Sequence, residues 1–127
     1  MLDFITVGIG GFIGACLRFS LTKLSDFLRF SYPMGTLMSN VLAGIAVGVI
    51  MGLEQQSFSI SNKTKLFLSV GLLGGLSTFS AFSAETIKMF QNEKYWWAAS
   101  NILLNVSLSL LGVVLGMLLV KAIIKKA

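Results

Sequence analysis

The chain has 127 residues, 55% hydrophobic and only 12% charged, which makes it one domain at most and excludes a soluble profile, since soluble domains carry about 25% charged residues. Its net charge of +5 comes from Lys and Arg residues scattered at the ends of apolar runs. That pattern reads as anchorage to anionic lipid and not as a nucleic-acid patch. The absence of histidine and the single cysteine, Cys16, remove the usual proton switch, the commonest transition-metal ligand and any intrachain disulfide. No paired acid/base groups and no nucleophile constellation are present, so an enzyme is not expected.

The first predicted span covers residues 4–21, close to the ~20 residues that cross a bilayer. Ile13-Gly14-Ala15-Cys16 has the order of a lipoprotein cleavage site, but Asp3 stands where a positive n-region is needed. Gly8-Ile9-Gly10-Gly11-Phe12-Ile13-Gly14 lacks the dinucleotide-loop register, because Ile13 takes the place of the third glycine. Small residues that let helices pack closely are the better account. Arg18, near the end of this span, has two readings: a side chain snorkelling to the headgroups, or a cation at the vestibule of an anion path. From Lys23 to Tyr32, apolar and charged residues alternate as in a short amphipathic connector lying at the membrane surface.

Pro33 suits the first turn of the second span, residues 33–53. Thr36, Asn40, Gly44, Gly48 and Gly52 recur every four residues, a stripe along one face. Asn40 cannot face lipid unsatisfied. It either bonds a neighbouring helix or turns its NH2 donors to a polar path.

The third span, residues 66–89, contains Gly74-Gly75-Leu76-Ser77-Thr78-Phe79-Ser80-Ala81-Phe82-Ser83. Paired glycines followed by hydroxyl residues predict a helix break at membrane depth, since each glycine costs about 1 kcal/mol relative to alanine. Such a break is tolerated only where protein or water satisfies the freed backbone. If the helix resumes after it, Phe79 and Phe82 form an aromatic stripe beside a hydroxyl stripe of Ser80 and Ser83. Packing is the ordinary role of membrane phenylalanines. Beside a hydroxyl row and a break, however, ring edges and hydroxyl donors suit a small anion. Glu85 is the one acidic residue well inside a span, with a serine, Arg18 or the interface as its partner.

The fourth span covers residues 95–120, opened by the Tyr95-Trp96-Trp97 belt. Asn101, Asn105 and Ser109 share one face, continued by Gly112 and Gly116. With four spans, both termini lie on one side. Lys63, Lys65, Lys121, Lys125 and Lys126 fall there, and Arg18, Lys23, Arg29, Lys88 and Lys94 fall on the other. This balance leaves the positive-inside rule without a preference, so opposite copies can insert and pair about an in-plane two-fold axis.

These residues resemble the Fluc/CrcB fluoride channel family along nearly the whole chain. The matching stretches are Gly10 to Arg18, Pro33 to Asn40 and Gly74 to Glu85, together with Asn101, Asn105 and Ser109. The resemblance implies a passive fluoride-selective channel that lowers cytoplasmic fluoride, an antiparallel dual-topology homodimer with two pores, and a bacterial inner-membrane location. It also implies a central, non-transported Na+ held by the backbone carbonyls of Gly74 and Ser77 from both subunits. Phe79 and Phe82 would contact fluoride. Asn40, Ser80, Ser83, Asn105 and Ser109 would line the path, with Arg18 at its vestibule. Many relatives have Thr where this chain has Ser77 and Ala81; the first change spares a backbone ligand and the second removes a hydroxyl. A small multidrug-resistance exporter, the alternative, needs a carboxylate embedded in its first helix, and Asp3 lies only at the edge. A structural subunit would have no use for polar rows at mid-membrane.

Overall fold

The computed structural model describes residues 1–126, and these are all-α, without a strand. The helices are α1 (Leu2–Phe27), α2 (Met34–Gln55), α3 (Asn62–Lys65), α4 (Gly74–Leu76), α5 (Phe79–Gln91) and α6 (Tyr95–Lys126), with a π-helical stretch, Leu66–Leu73, joining α3 to α4. Four runs are long and apolar enough to cross a membrane: α1, α2, Asn62–Gln91 as a unit, and α6. Their side chains are distributed the opposite way to those of a soluble protein. The two largest fully buried side chains are polar, Asn101 and Ser39, whereas Phe4, Phe12, Phe19, Leu103 and Leu110 stand out into the surroundings. Only hydrocarbon makes that arrangement favourable.

The helices associate as two tight pairs, each closed through glycine. On α2, a Cβ at Gly44 would lie 2.6 Å from the Ser109 carbonyl oxygen and one at Gly48 only 2.0 Å from that of Val113. From α6, Gly116 approaches Ile45 in the same way, at 2.2 Å. The second pair joins α1 to the broken span, where Gly10 and Gly14 meet Gly71, Leu72 and Leu76. Lipid offers no hydrophobic drive for helix association, so backbone proximity has to supply the dispersion contacts. A small apolar cluster of Ala43, Ile50, Leu73 and Leu76 lies where the pairs meet.

Two helices run beyond the spans expected to cross the bilayer. The first helix does not stop at residue 21. It runs on to Phe27 because its last turns pack against the start of α2: Ser25 is buried, and Gly35 sits so close to Thr22 that a Cβ would lie 2.6 Å from the Thr22 Cα. What was expected to be a surface connector is therefore half helix, ended by Arg29 in the left-handed region at φ 53°. Likewise α6 continues past residue 120 to Lys126, as lysine and alanine readily extend a helix.

Candidate functional site at the helix break

The third span is broken, but not at its glycines. Gly74 keeps helical dihedrals (φ −65°, ψ −35°), and the chain turns extended at Ser77 (φ −75°, ψ 153°) and Thr78 (φ −152°, ψ 122°). Gly75 is there for proximity, since a Cβ would lie 2.5 Å from the Gly11 carbonyl oxygen of α1. The hydroxyl residues make the break. Thr78 is the N-cap of α5, its Oγ1 accepting the Ala81 N–H at 3.2 Å.

Asn40 satisfies the freed backbone from the side. Its Oδ1 accepts the Thr78 N–H at 2.7 Å, and its Nδ2 donates to the Thr78 carbonyl at 3.2 Å, so one side chain replaces a neighbouring strand. The other Nδ2 hydrogen goes to Asn105 Oδ1 at 2.9 Å. Of the two roles open to Asn40, the helix-bonding one is filled in full. Because the Thr78 N–H turns to Asn40, the Gly74 carbonyl lacks the donor a continuous helix would give it. The next carbonyl, Gly75, accepts from Arg18 Nε at 3.2 Å. Arg18 is half-buried, with its Nε on a carbonyl near the C-terminal end of the helical run 62–76.

Beside the break lies a groove of about 450 Å³ bordered by Asn40, Ser77, Thr78, Phe82, Asn105 and Ser109. Phe79 also borders it. The two rings are 5.4 Å apart and tilted by 58°, an edge-presenting arrangement. They are not equivalent: Phe82 is 8% exposed, while Phe79 is 78% exposed and projects from the chain. Ser109 Oγ is buried and without a hydrogen-bond partner, so its donor is free for a guest. The Ser77 hydroxyl is spent on the Leu73 carbonyl, at 2.9 Å. Ser80 and Ser83 are absent from the groove lining; Ser80 is exposed and its Oγ lies 3.2 Å from that of Thr78.

Three participants were not anticipated. Ser69 borders the groove from the π-helical stretch, where a wider turn changes the facing that ordinary helical spacing implies. Thr36 donates to Glu85 Oε1 at 2.5 Å, which gives Glu85 a partner other than Arg18 or a serine. Thr86, buried, receives a hydrogen bond from Asn101 at 3.0 Å; a hydroxyl one turn past Phe82 was the available signal. Glu85 and Thr36 border a second cavity of about 580 Å³ with Tyr32, Lys88, Lys94 and Trp97. Tyr32 stacks on Trp97 at 5.6 Å between centroids. Its phenol is pushed above the ordinary tyrosine range, first by burial and then by the Glu85 charge, with the nearby Ser100 hydroxyl offsetting part of this. Among the described residues no group of three His, Cys, Asp or Glu could hold a metal.

A multi-pass helical membrane protein with one interrupted crossing, and beside the interruption a largely apolar groove that carries a few polar side chains, has the build of a channel or transporter. Comparison with known proteins narrows this. Residues 5–117 match the family described as "CrcB-like protein, Camphor Resistance (CrcB)". The chain is 42% identical over 120 residues to a protein of Clostridium novyi, covering 94% of each. It is 45% identical over 114 residues to one of Clostridium perfringens, covering 88% of each, and 40% identical over 115 residues to one of Paraburkholderia phymatum, covering 91% of each. All three are named fluoride-specific ion channels. The chain belongs to this CrcB family, a family of channels and not of enzymes.

Proposed function

We propose that the chain is a passive fluoride channel of the bacterial plasma membrane, working as an antiparallel homodimer with two pores. The observation that carries this reading is the groove beside the break, where a tilted phenylalanine pair and an unpartnered Ser109 hydroxyl meet. Fluoride is small and heavily hydrated. A path for it needs donors that replace water, together with weak attraction that lets it leave. Ring edges and a hydroxyl supply both, and among the described residues no cationic side chain borders the groove to trap the ion. In an acidic medium HF enters cells and dissociates, so a fluoride leak to the outside lowers the internal concentration.

The incompleteness of the groove supports the dimer. The groove is open along one side, and Phe79 stands 78% exposed beside it, so a second copy supplies the missing wall. The even division of Lys and Arg between the two ends supports insertion both ways up. A structural Na+ fits the same geometry. A Cβ at Gly74 would find nothing nearer than 3.8 Å, and the Gly74 carbonyl has lost its helical donor to Asn40. Gly74 and Ser77 carbonyls from two copies would surround a hard cation with oxygen; the ion's charge would offset nearby anions and hold the broken helices together. The test is fluoride efflux from liposomes holding the purified chain, read with a fluoride electrode against chloride. Equal leakage of both halides, or none above empty liposomes, would rule the reading out.

A further inference from the structure

Three buried asparagine and threonine side chains, of which only Asn105 borders the groove, form with Asn40 a single relay that begins and ends on the segment carrying both phenylalanines. Asn40 is fixed first, because only its oxygen can accept the Thr78 N–H at 2.7 Å. Its nitrogen therefore faces Asn105, whose oxygen accepts at 2.9 Å. The Asn105 nitrogen must then face α6 itself, where it donates to Asn101 Oδ1 at 3.0 Å and to the Asn101 carbonyl at 3.1 Å. That leaves the Asn101 nitrogen pointing at Thr86 Oγ1, 3.0 Å away, and the Thr86 hydroxyl hydrogen on the Phe82 carbonyl at 2.8 Å. Each amide has one possible orientation, dictated by its predecessor, so reversing any one of them sets like atoms against each other. Asn101, Asn105 and Thr86 are all buried, where an unmade bond is costly and a completed network stiffens its surroundings.

We propose that Asn101 and Thr86, neither of which borders the groove, are positioning residues for permeation: they fix Thr78 and Phe82, and hence the ring edges, from behind. The relay clamps the Thr78–Phe82 segment at both ends, by Asn40 on one side and by Thr86 on the other. It also occupies both amide hydrogens of Asn40 and both of Asn105. These two asparagines therefore act on an anion through the geometry they hold, while the Ser109 hydroxyl remains the free donor. The inference rests on the fluoride reading above, and its test separates the two.

The full-length chain is compared with Thr86→Val, which keeps the shape and removes the hydroxyl, with Thr86→Ser as the conservative rescue, and with Asn101→Leu alone and combined with Thr86→Val. Two readouts are taken: fluoride and chloride efflux from liposomes, and hydrogen exchange over residues 78–82. Thr86→Val is expected to lower fluoride efflux about 3- to 10-fold, the scale of one buried neutral hydrogen bond, and to lower the fluoride-to-chloride ratio. It is also expected to speed exchange at Thr78, a site with which it has no contact. Thr86→Ser should restore both readouts. The double variant should be no worse than Asn101→Leu, since one broken link opens the whole relay. Unchanged exchange at Thr78 in Thr86→Val overturns the relay whatever the ion. Altered exchange with an unaltered halide ratio overturns its role in permeation. A wild-type chain that passes no fluoride removes the functional reading instead, and the exchange result still decides the relay. Should Asn101→Leu fail to fold, the two Thr86 variants decide alone.

Discussion

The close approach of α2 and α6 can be tested with one methyl group. At Gly48 the added Cβ would sit 2.0 Å from the Val113 carbonyl oxygen and 2.8 Å from its carbon, where ordinary contact begins near 3.4 Å. The shortfall, about 1.4 Å, is against backbone and cannot be relieved by a rotamer change. Gly48→Ala must therefore push the helices apart, at about 1–3 kcal/mol for an overpacked core. The damage reaches the groove, because a comparable shift stretches the 2.9 Å Asn40–Asn105 bond past the ~3.5 Å at which it ceases to count. Gly8→Ala is the matched control: nothing lies within 4 Å of its Cβ, and the better helix former is neutral or favourable by up to about 1 kcal/mol. Thermal unfolding followed by size-exclusion chromatography, with fluoride efflux in parallel, reads both. Gly48→Ala should melt lower and conduct less, and Gly8→Ala should match wild type. Equal melting temperatures for the two variants would refute the packing argument.

Other consequences follow from the site. Replacing Phe79 or Phe82 by Ile keeps bulk but removes the ring edge, so fluoride efflux should fall while the dimer persists; undiminished flux in both variants would defeat the aromatic assignment. Purifying and assaying the protein with a bulky organic cation in place of Na+ should reduce flux, and full activity without sodium would discard the structural-ion proposal. For Tyr32, burial favours the neutral phenol. The stability it contributes is therefore complete below the ordinary tyrosine pKa, ~10, and is lost as pH rises through the raised value. Tyr32→Phe should delete one phenolate transition above pH ~10 from an ultraviolet titration; deletion of a transition at or below that pH would contradict the burial argument.

Much of this was legible because the bilayer permits so few options. Apolar run length marked the four crossings, and a polar residue within one had to find a partner, which is why Asn40, Asn105 and Glu85 stood out. The break falls at the hydroxyl end of the stretch expected to hold it, because glycine carries two meanings in a membrane helix. Gly74 and Gly75 read as helix breakers, yet Gly75 serves contact with Gly11 on α1, and the chain opens at Ser77 and Thr78, where Asn40 can receive it. Spacing could not reveal the direction of each amide, since that depends on which neighbour is fixed first. Nor could it foresee that Arg18 spends its Nε on the Gly75 carbonyl, a contact 57 residues distant in sequence. The hydroxyl stripe of Ser80 and Ser83 was a correct count of periodicity but lies off the groove lining, because only the tertiary fold fixes how α5 is rotated.

On the proposed reading, the interruption at Ser77–Thr78 makes a path for fluoride. Its most direct measurement is halide efflux from liposomes carrying either the wild-type chain or Phe82→Ile, with fluoride and chloride followed by selective electrodes in the same preparation. The account predicts fast fluoride release with chloride retained in wild type, and fluoride release suppressed in the variant. Chloride leaving as fast as fluoride, or a variant indistinguishable from wild type, would contradict it.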